Sequence, residues 1–545
     1  MKAYHHSIQE SVRLREVLII LSKYGLADLF KEVKIDWVRK YTKSRRKELP
    51  NQFTKHQLIR MALSELGTTF IKLGQLLSTR SDLVGIELAE ELSKLQSSTP
   101  ADPFEYVEAT ILNEFQVSSL QDVFAEFNVE PMASASIAQV HRASLRTGEQ
   151  IVVKVMHEGI IEKVKSDLEI IAQLANMAEQ FVSPLKIYQP VATVRELKNT
   201  MLNELDFRKE LSNMQVLADN FANNPGIHIP VPVVELSGRK ILSMEFVKGT
   251  PLGSLAQPAW PKERLSHLAE VGAHAYLEMI FRDNFYHADP HPGNLLMLED
   301  GSLCILDFGM MGRVDQQLNE SLEELMIAIS QNDIELIRTV VIELGRVPPG
   351  VNYEVLTTQI DDFVESYLQL PLEEVSMGQA LKDMISIIHE HHIILPAKTF
   401  NLLRVVMMLE GTGKALNPKF SISSILQKYQ YKIIRHKFSQ GRIGKKLTRS
   451  MRDWDHIFSE SPRLISNILN RAQKEDFEVR LEHRNLEKSV NRLVMGILTA
   501  ALFLGSSLLL ATQVPPLFRG LSLAGLAGMI LAFLLGLKLV KDIYS

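Results

Sequence analysis

Hydrophobic positions divide the chain into two helical regions, a set of short strands between them, and two apolar runs near the C-terminus. Over residues 58–77 apolar side chains recur every three or four positions, which predicts one amphipathic helix. Near Val123 the pattern changes to the alternation that is typical of strands. Residues 139–144 and 150–155 flank a short turn, so they are predicted to form a β-hairpin.

The pattern after the hairpin again mixes helices and strands. The predicted elements are a helix over 191–221, strands at 231–235 and 240–246, a helix over 265–284, a strand pair at 295–298 and 303–306, and helices over 316–417. This order of elements predicts an α+β fold.

The two C-terminal apolar runs are each close to the length that crosses a bilayer, roughly 20 residues. Residues 493–512 are almost wholly apolar, Pro515 and Pro516 interrupt the pattern, and residues 521–537 are apolar again. A buried helical hairpin is the alternative, but a soluble protein seldom has two such runs in succession. We therefore expect two transmembrane helices, at 493–512 and 519–540.

Basic residues on either side of these runs predict their orientation. Lys488 and Arg492 precede the first run, and Lys538 and Lys541 close the second. The positive-inside rule then places both ends in the cytoplasm. The N-terminus has no apolar run that is typical of a secretory signal. We expect a multi-pass membrane protein whose soluble part and both termini are cytoplasmic; the resemblance described below implies the bacterial inner membrane and a catalytic domain on its cytoplasmic side.

Composition and charge exclude some classes of function. The formal net charge of the 545 residues is -4, which does not favour nucleic acid as a partner. The single cysteine, Cys304, excludes an internal disulfide and a cysteine-based metal cluster. Residues 432–452 carry eight basic and no acidic side chains, so they could bind anionic lipids or form a solvated helix face. A second basic cluster, at 39–47, could face the same membrane.

Two motifs have the spacing of a phosphoryl-transfer site. Asp289 lies five residues before Asn294, as in the catalytic loop of kinases, and Asp307-Phe308-Gly309 begins thirteen residues after Asn294 at the end of a predicted strand. In such a site one aspartate positions the acceptor, and the asparagine and the second aspartate bind Mg²⁺. We predict these roles for Asp289, Asn294 and Asp307.

A lysine that orients the ATP phosphates is also expected. Lys154 interrupts the apolar strand at 150–155, where an edge-strand lysine reaching to water is the structural alternative. Such a lysine needs a carboxylate from the following helix. Glu204, Asp206 and Glu210 are the candidates.

The loop that holds the phosphates should lie in the hairpin before Lys154. It contains small residues that allow close approach of the backbone, but no glycine. The predicted ATP-binding residues of this loop are Pro131, Met132, Ala133, Ser134, Ala135, Ser136, Ile137 and Ala138.

Together, residues 58–309 resemble the UbiB/ADCK family of atypical kinase-like proteins, in which an alanine-rich loop replaces the glycine-rich one. The family's K-x-G-Q motif matches Lys72-Leu73-Gly74-Gln75. The resemblance implies that this helix packs over the site and that Lys72 pairs with a core carboxylate. It assigns Glu204 and Asp206 to an E-x-D motif that faces this helix, and it implies regulatory roles for these two residues and for Lys72 and Gln75. Glu210 would then be the partner of Lys154.

The resemblance also implies a two-lobed, protein-kinase-like fold with added helices. The predicted regions are an N-terminal helical region at 1–122, a kinase-like ATP-binding core at 123–315, a helical C-terminal lobe with a basic membrane-proximal segment at 316–490, and transmembrane helices at 493–512 and 519–540.

The function implied is that of a kinase-like ATPase, with ATP and Mg²⁺ as cofactors, that is required for or regulates ubiquinone biosynthesis. The implied partners are membrane lipids, including anionic ones, prenylated quinone precursors and other ubiquinone biosynthesis proteins. The chain departs from many relatives at Ala138, where they have glycine, and it lacks an A-P-E motif after Asp307. A protein or small-molecule kinase and a non-catalytic nucleotide-gated lipid-binding scaffold are the alternatives.

Overall fold

The structure is a computed structural model. It describes residues 2–26, 53–95, 99–182, 189–254, 260–348, 350–371, 374–437, 486–512, 514–518 and 521–544. The chain forms two compact units, Met1–Ser439 and Gln440–Ser545. The basic cluster at 39–47 and residues 438–452 of the other basic segment lie outside the described residues.

The first unit begins with a series of helices, and the first three of those described contribute to a hydrophobic core that they share with the later lobes. The helices of the series are α1 (Lys2–Lys23), α2 (Lys55–Leu66), α3 (Thr68–Ser78), α4 (Ser81–Val84), α5 (Ile86–Leu92) and α6 (Phe104–Phe115). The prediction of one helix over 58–77 is wrong, because α2 ends at Gly67. That residue has a φ of 95°, a backbone conformation that glycine adopts readily.

A mainly antiparallel sheet follows. Its strands are β1 (Phe124–Phe127), β2 (Ala133–Ser134), β3 (Ala138–Leu145), β4 (Gln150–Met156) and β6 (Ile241–Glu245). The order is β1-β3-β4-β6, with β2 paired to β3. The predicted hairpin is confirmed, since Val140 lies opposite Lys154 in the β3–β4 register. Lys154 therefore lies in an inner strand, which excludes the edge-strand alternative.

Three helices lie between β4 and β6 in the sequence: α7 (Ile160–Phe181), α8 (Pro190–Glu204) and α9 (Phe207–Phe221). The predicted single helix over 191–221 is wrong, because Asp206 has extended backbone and its side chain caps α9. The predicted strand at 231–235 is also wrong. Only Pro232 forms a bridge there, and Val234–Leu236 is a 3₁₀ turn.

The lower lobe combines one long helix with short strands. Its elements are β5 (Ile227–His228), β7 (Thr250–Pro251), α10 (Lys262–Phe281), β8 (Phe285–His287), β9 (Leu295–Met297), β10 (Leu303–Ile305) and β11 (Met311–Arg313). One sheet has the order β5-β10-β9-β7, and β8 pairs with β11. The predicted strand pair is confirmed, since Leu303 lies opposite Met297 in an antiparallel register.

The predicted helical region after residue 316 is confirmed. It contains α11 (Gln316–Gln331), α12 (Ile334–Glu343), α13 (Tyr353–Leu368), α14 (Met377–Glu390), α15 (Ala397–Leu416) and α16 (Ile422–Lys437). Part of this region has its own hydrophobic core, which includes Ile360, Ile385 and Phe400. The helix α15 also contributes Leu402 and Val405 to the larger core, so it joins the helical region to the lower lobe.

The second unit contains α17 (Leu486–Ala511), the short strands β12 (Leu517–Phe518) and β13 (Leu521–Ser522), and α18 (Leu523–Tyr544). Gly525 and Gly528 of α18 lie against Ser506 of α17. Of the described helices, α17 alone is long and apolar enough to cross a membrane, over Val494–Ala511, and α18 contains the shorter apolar segment Leu523–Lys538. The prediction of two membrane spans is therefore supported for one helix.

Candidate active site

Lys154 is fixed at the centre of the upper sheet. Its Nζ lies 2.9 Å from both carboxylate oxygens of Glu210, in the first turn of α9. Glu210 is buried, and Phe207 places its ring 5.1 Å from the ammonium. Burial opposes the charge on Lys154, but Glu210 and Asp307 outweigh it and raise the pKa of Lys154. The lysine is therefore a permanent cation in the cavity.

The loop between β8 and β9 presents Asp289 and Asn294. The Asn294 amide donates to Oδ2 of Asp289 at 3.0 Å and to its backbone carbonyl at 3.2 Å. A 3₁₀ turn at Pro292–Asn294 brings the two residues together, because His291 caps the turn through the Gly293 amide. The five-residue spacing thus becomes direct contact, and Asp289 and Asn294 act as one polar group.

Asp307 follows β10 in an unusual backbone conformation. Its φ is 58°, in the left-handed region that non-glycine residues seldom adopt. Buried His287 donates from Nε2 to the Asp307 carbonyl at 2.7 Å, and the Gly309 amide donates to Oδ1 of Asp307. Oδ1 lies 3.7 Å from Nζ of Lys154. Lys154 holds the pKa of the Asp307 carboxyl well below its usual range, against the opposing effect of burial.

The alanine-rich loop connects β2 to β3 above these residues. The Ala135 amide donates to the Ala138 carbonyl at 2.9 Å, which closes a tight turn. Within the described part of the chain, the amides of Ser136 and Ile137 have no hydrogen-bond acceptor. Successive free amides of this kind form an anion-binding concavity. Met132, at the start of the loop, is instead half exposed to solvent.

The helix α3 covers one side of the site. Lys72 lies 2.9 Å from Oε2 of Glu204, at the end of α8, and the Lys72 side chain is only 20% exposed. Burial opposes this charge, but Glu204, Asp307 and Asp289 outweigh it and raise the pKa of Lys72. Glu204 therefore pairs with Lys72, and Glu210 with Lys154.

The other predicted residues on this side face elsewhere. The Gln75 amide donates to the Leu95 carbonyl at 3.0 Å, so it braces α3 against the segment after α5. The Asp206 carboxylate accepts from the Arg208 guanidinium rather than from α3, and this contact lowers the Asp206 pKa. Asp206 still lines the cavity. The regulatory roles of these residues stay predictions.

Sequence reasoning missed Arg404 of α15. Its guanidinium donates to Oδ1 of Asp289 at 2.8 Å and to the Ala288 carbonyl at 3.3 Å. Burial lowers the pKa of Arg404, while Asp289 opposes that change. No local motif marks this residue, which lies 115 positions after Asp289. A basic residue inside an otherwise apolar stretch of helix was the available signal.

One cavity of about 670 Å³ is lined by Lys72, Lys154, Asp289, Asn294 and Asp307, whereas Gln75 and Arg404 are not among its lining residues. The cavity is lined by the alanine-rich loop, β4, α8, α9, the loops after β8 and β10, and α15. Its volume falls in the range of about 300–1,000 Å³ that is typical of small-molecule sites. Carboxylate and amide oxygens from Asp307 and Asn294 are the hard donors that Mg²⁺ prefers. The free loop amides and Lys154 suit phosphate, so the residues present fit ATP with Mg²⁺.

Comparisons with known proteins agree with this geometry. A family profile described as the ABC1 atypical kinase-like domain matches residues 94–341. The UbiB helical domain matches residues 360–421, and the ABC1/UbiB kinase-like C-terminal domain matches residues 480–545. The ABC1 domain contains the alanine-rich loop, Lys154 and both aspartates. The UbiB helical domain contains Arg404.

Individual relatives cover most of the chain. A Marinobacter nauticus protein named probable protein kinase UbiB is 31% identical over 417 residues, or 75% of this chain and 76% of its own length. A Clostridium pasteurianum protein, named only as an uncharacterized protein in the hydrogenase 1 5' region, is 30% identical over 97% of this chain and 98% of its own. A Mycobacterium tuberculosis protein, solved in complex with erythromycin, is 23% identical with a TM-score of 0.45, covering 67% of this chain and 95% of its own. The chain thus belongs to the ABC1/UbiB family of atypical kinase-like proteins.

Proposed function

We propose that this protein is a kinase-like ATPase of the bacterial inner membrane that supports ubiquinone biosynthesis. The observation that carries the proposal is the convergence of Lys154, Asp289, Asn294 and Asp307 on one cavity. These side chains are the ones that phosphoryl transfer uses. The pathway is inferred from the name UbiB, which relatives described as probable protein kinases carry.

Each residue has a distinct task in the proposed reaction. The Ser136 and Ile137 amides and Lys154 bind the phosphates, and Glu210 keeps Lys154 in place. Asp307 and Asn294 would hold Mg²⁺, which would neutralise charge on the phosphates. Asp289 orients the attacking hydroxyl or water and accepts its proton. Arg404 fixes the Asp289 carboxylate from the opposite side.

Water is the acceptor that the surroundings favour. The helix α3 contributes Lys72 to the cavity wall, and α15 contributes Lys398 and Asn401. The resemblance to the UbiB/ADCK family implies that α3 packs over the place where a peptide substrate would sit. The chain also lacks the A-P-E segment of ordinary kinases.

The membrane part of the proposal rests on the C-terminal helices. Only 6% of Val494–Ala511 is buried, and α18 exposes Ile530, Phe533 and Leu534. Lipid would cover these apolar surfaces. We propose that α17 and α18 both span the bilayer, with both termini in the cytoplasm. Anionic lipids, prenylated quinone precursors and other ubiquinone biosynthesis proteins are the proposed partners.

The test is phosphate release from ATP by the full chain in detergent. Assays would include Mg²⁺, with and without anionic liposomes, and would compare wild type with Asp307→Asn. We expect liposome-stimulated release that Asp307→Asn abolishes. Equal, near-zero release from both proteins would contradict the ATPase and favour the scaffold. Transfer of labelled phosphate to a protein or lipid instead of water would identify a true kinase.

A further inference from the structure

His157 lies directly after β4, buried beneath the alanine-rich loop. Its Nε2 lies 2.9 Å from the carbonyl oxygen of Ala135, and its Nδ1 lies 3.0 Å from Oδ2 of Asp102. The His157 amide donates to the Ile137 carbonyl, also at 2.9 Å. One residue therefore holds two carbonyls of the loop.

The contact with Ala135 fixes the direction of a donor that faces the cavity. The Ala135 carbonyl and the Ser136 N–H belong to one trans peptide, in which the two groups point in opposite directions. Because the carbonyl points toward His157, the Ser136 N–H points away from it. Ser136 lines the cavity, and its amide has no acceptor among the described residues. The imidazole thus orients an amide that is available to phosphate.

Both neighbours of the imidazole are acceptors. A carboxylate and a carbonyl cannot donate, so both contacts are satisfied only when each ring nitrogen carries a proton. The charged form of histidine has this property. The ionisable groups packed around the contact are Asp102, Tyr106 of α6, and Glu158 and Glu162 at the start of α7.

Ser134, His157 and Asp102 also have the order of a hydrolytic triad, with Ser134 Oγ 3.4 Å from Nε2. A triad histidine must accept the serine proton on that nitrogen. Here Nε2 donates its own proton to the Ala135 carbonyl. His157 therefore positions the alanine-rich loop and does not activate Ser134 as a nucleophile.

We propose that His157, held by Asp102, is a positioning residue that aims the Ser136 amide at the phosphates of a bound nucleotide. The proposal rests on the proposed function, because it requires that the cavity bind a nucleotide. His157 itself takes no part in phosphoryl transfer.

The test measures the dissociation constant of ADP with Mg²⁺ by calorimetry between pH 6 and 8.5. Wild type is compared with His157→Ala and His157→Arg as full chains in detergent. At pH 6 we expect His157→Ala to bind about tenfold more weakly, the loss of one charge-assisted hydrogen bond. His157→Arg should bind ADP about as tightly as wild type, because a guanidinium donates to both acceptors.

His228→Ala is the matched control. It removes another histidine–carboxylate contact, 3.1 Å from Glu245, that does not line the cavity. The affinity of His228→Ala for ADP should equal that of wild type. If His157→Ala bound ADP as tightly as wild type at every pH, the role of His157 would be overturned while the proposed function would stand. Absence of nucleotide binding by wild type would overturn the proposed function as well.

A second variant and a second measurement test the proposal if His157→Ala folds poorly. Asp102→Asn keeps a hydrogen-bonding group but removes the carboxylate that holds His157 Nδ1, so it should weaken ADP binding. Amide exchange over residues 133–138 without nucleotide should be faster in both variants. Unchanged exchange and unchanged affinity in Asp102→Asn would contradict the proposal.

Discussion

The cavity contains two lysine–glutamate pairs of the same length that are built in different ways. Lys154–Glu210 and Lys72–Glu204 both have contacts of 2.9 Å, and all four side chains are largely buried. Both oxygens of Glu210 accept from Lys154. In contrast, Oε1 of Glu204 has no partner among the described residues. The first pair is fully satisfied, and the second is only half satisfied.

The origin of each lysine explains this difference. Lys154 lies in an inner strand, where backbone pairing on both sides fixes its position. Lys72 lies on α3, which is placed by packing against neighbouring helices. A buried polar atom without a partner raises the free energy of the folded state. The Lys72 pair is therefore the easier one to separate, and it can change without disturbing the nucleotide-binding residues.

The largest expected effect is a difference in ATPase activity between variants of the two lysines. Lys154→Met should reduce phosphate release about 10²–10³-fold, because it removes a preorganised charge at the phosphates. Lys72→Met should reduce release much less. The measurement is steady-state release with saturating Mg²⁺ and ATP. Equal losses in the two variants would contradict the distinction between the pairs.

The next prediction concerns stability. Lys72→Met leaves the Glu204 carboxylate buried without its cation, which should cost about 3 kcal/mol of unfolding free energy. Adding Glu204→Gln to Lys72→Met should restore most of that loss, because the buried charge is gone. Urea unfolding in detergent, followed by tryptophan fluorescence, measures both. If the double variant were no more stable than Lys72→Met, the unpaired Glu204 carboxylate would not be the cause of the stability loss.

A smaller effect is expected at Arg404, which belongs to the helical side of the site as Lys72 does. Arg404→Met should lower kcat roughly tenfold, because an oriented hydrogen bond to Asp289 is lost. KM for ATP should stay near its wild-type value, and Arg404→Lys should recover part of kcat. A raised KM with unchanged kcat would place Arg404 in nucleotide binding instead.

The smallest effect is a pH dependence of the Lys72 pair. The pKa of Lys72 is raised in the folded protein, so its contribution to stability is complete below the unfolded value of about 10.4 and is lost as pH rises through the folded value. The stability advantage of wild type over the Lys72→Met, Glu204→Gln variant should therefore become smaller above pH 10. Urea unfolding at pH 8 and pH 11 checks this. A stability advantage of wild type that grew between pH 8 and pH 11 would contradict the raised pKa of Lys72.

Much of the core was readable from the sequence because its signals are local. The alternation around Gly148 predicted the β3–β4 hairpin, and the turn before Leu303 predicted β9 and β10. The helix breaks were missed for equally local reasons. At Gly67 a left-handed backbone ends α2, and at Asp206 a side-chain cap starts a new helix. Apolar periodicity continues across both positions and hides them.

The sequence by itself determined the family, the α+β order of elements and the spacing that puts Asp289 beside Asn294. These features depend on near neighbours in the chain, whose separation the backbone geometry limits. Only the tertiary structure decided which glutamate pairs with which lysine, that Asp206 accepts from Arg208, that Arg404 contacts Asp289, and that His157 contacts the alanine-rich loop. These contacts join elements far apart in the sequence, and packing of whole helices against the sheet sets which side chains meet.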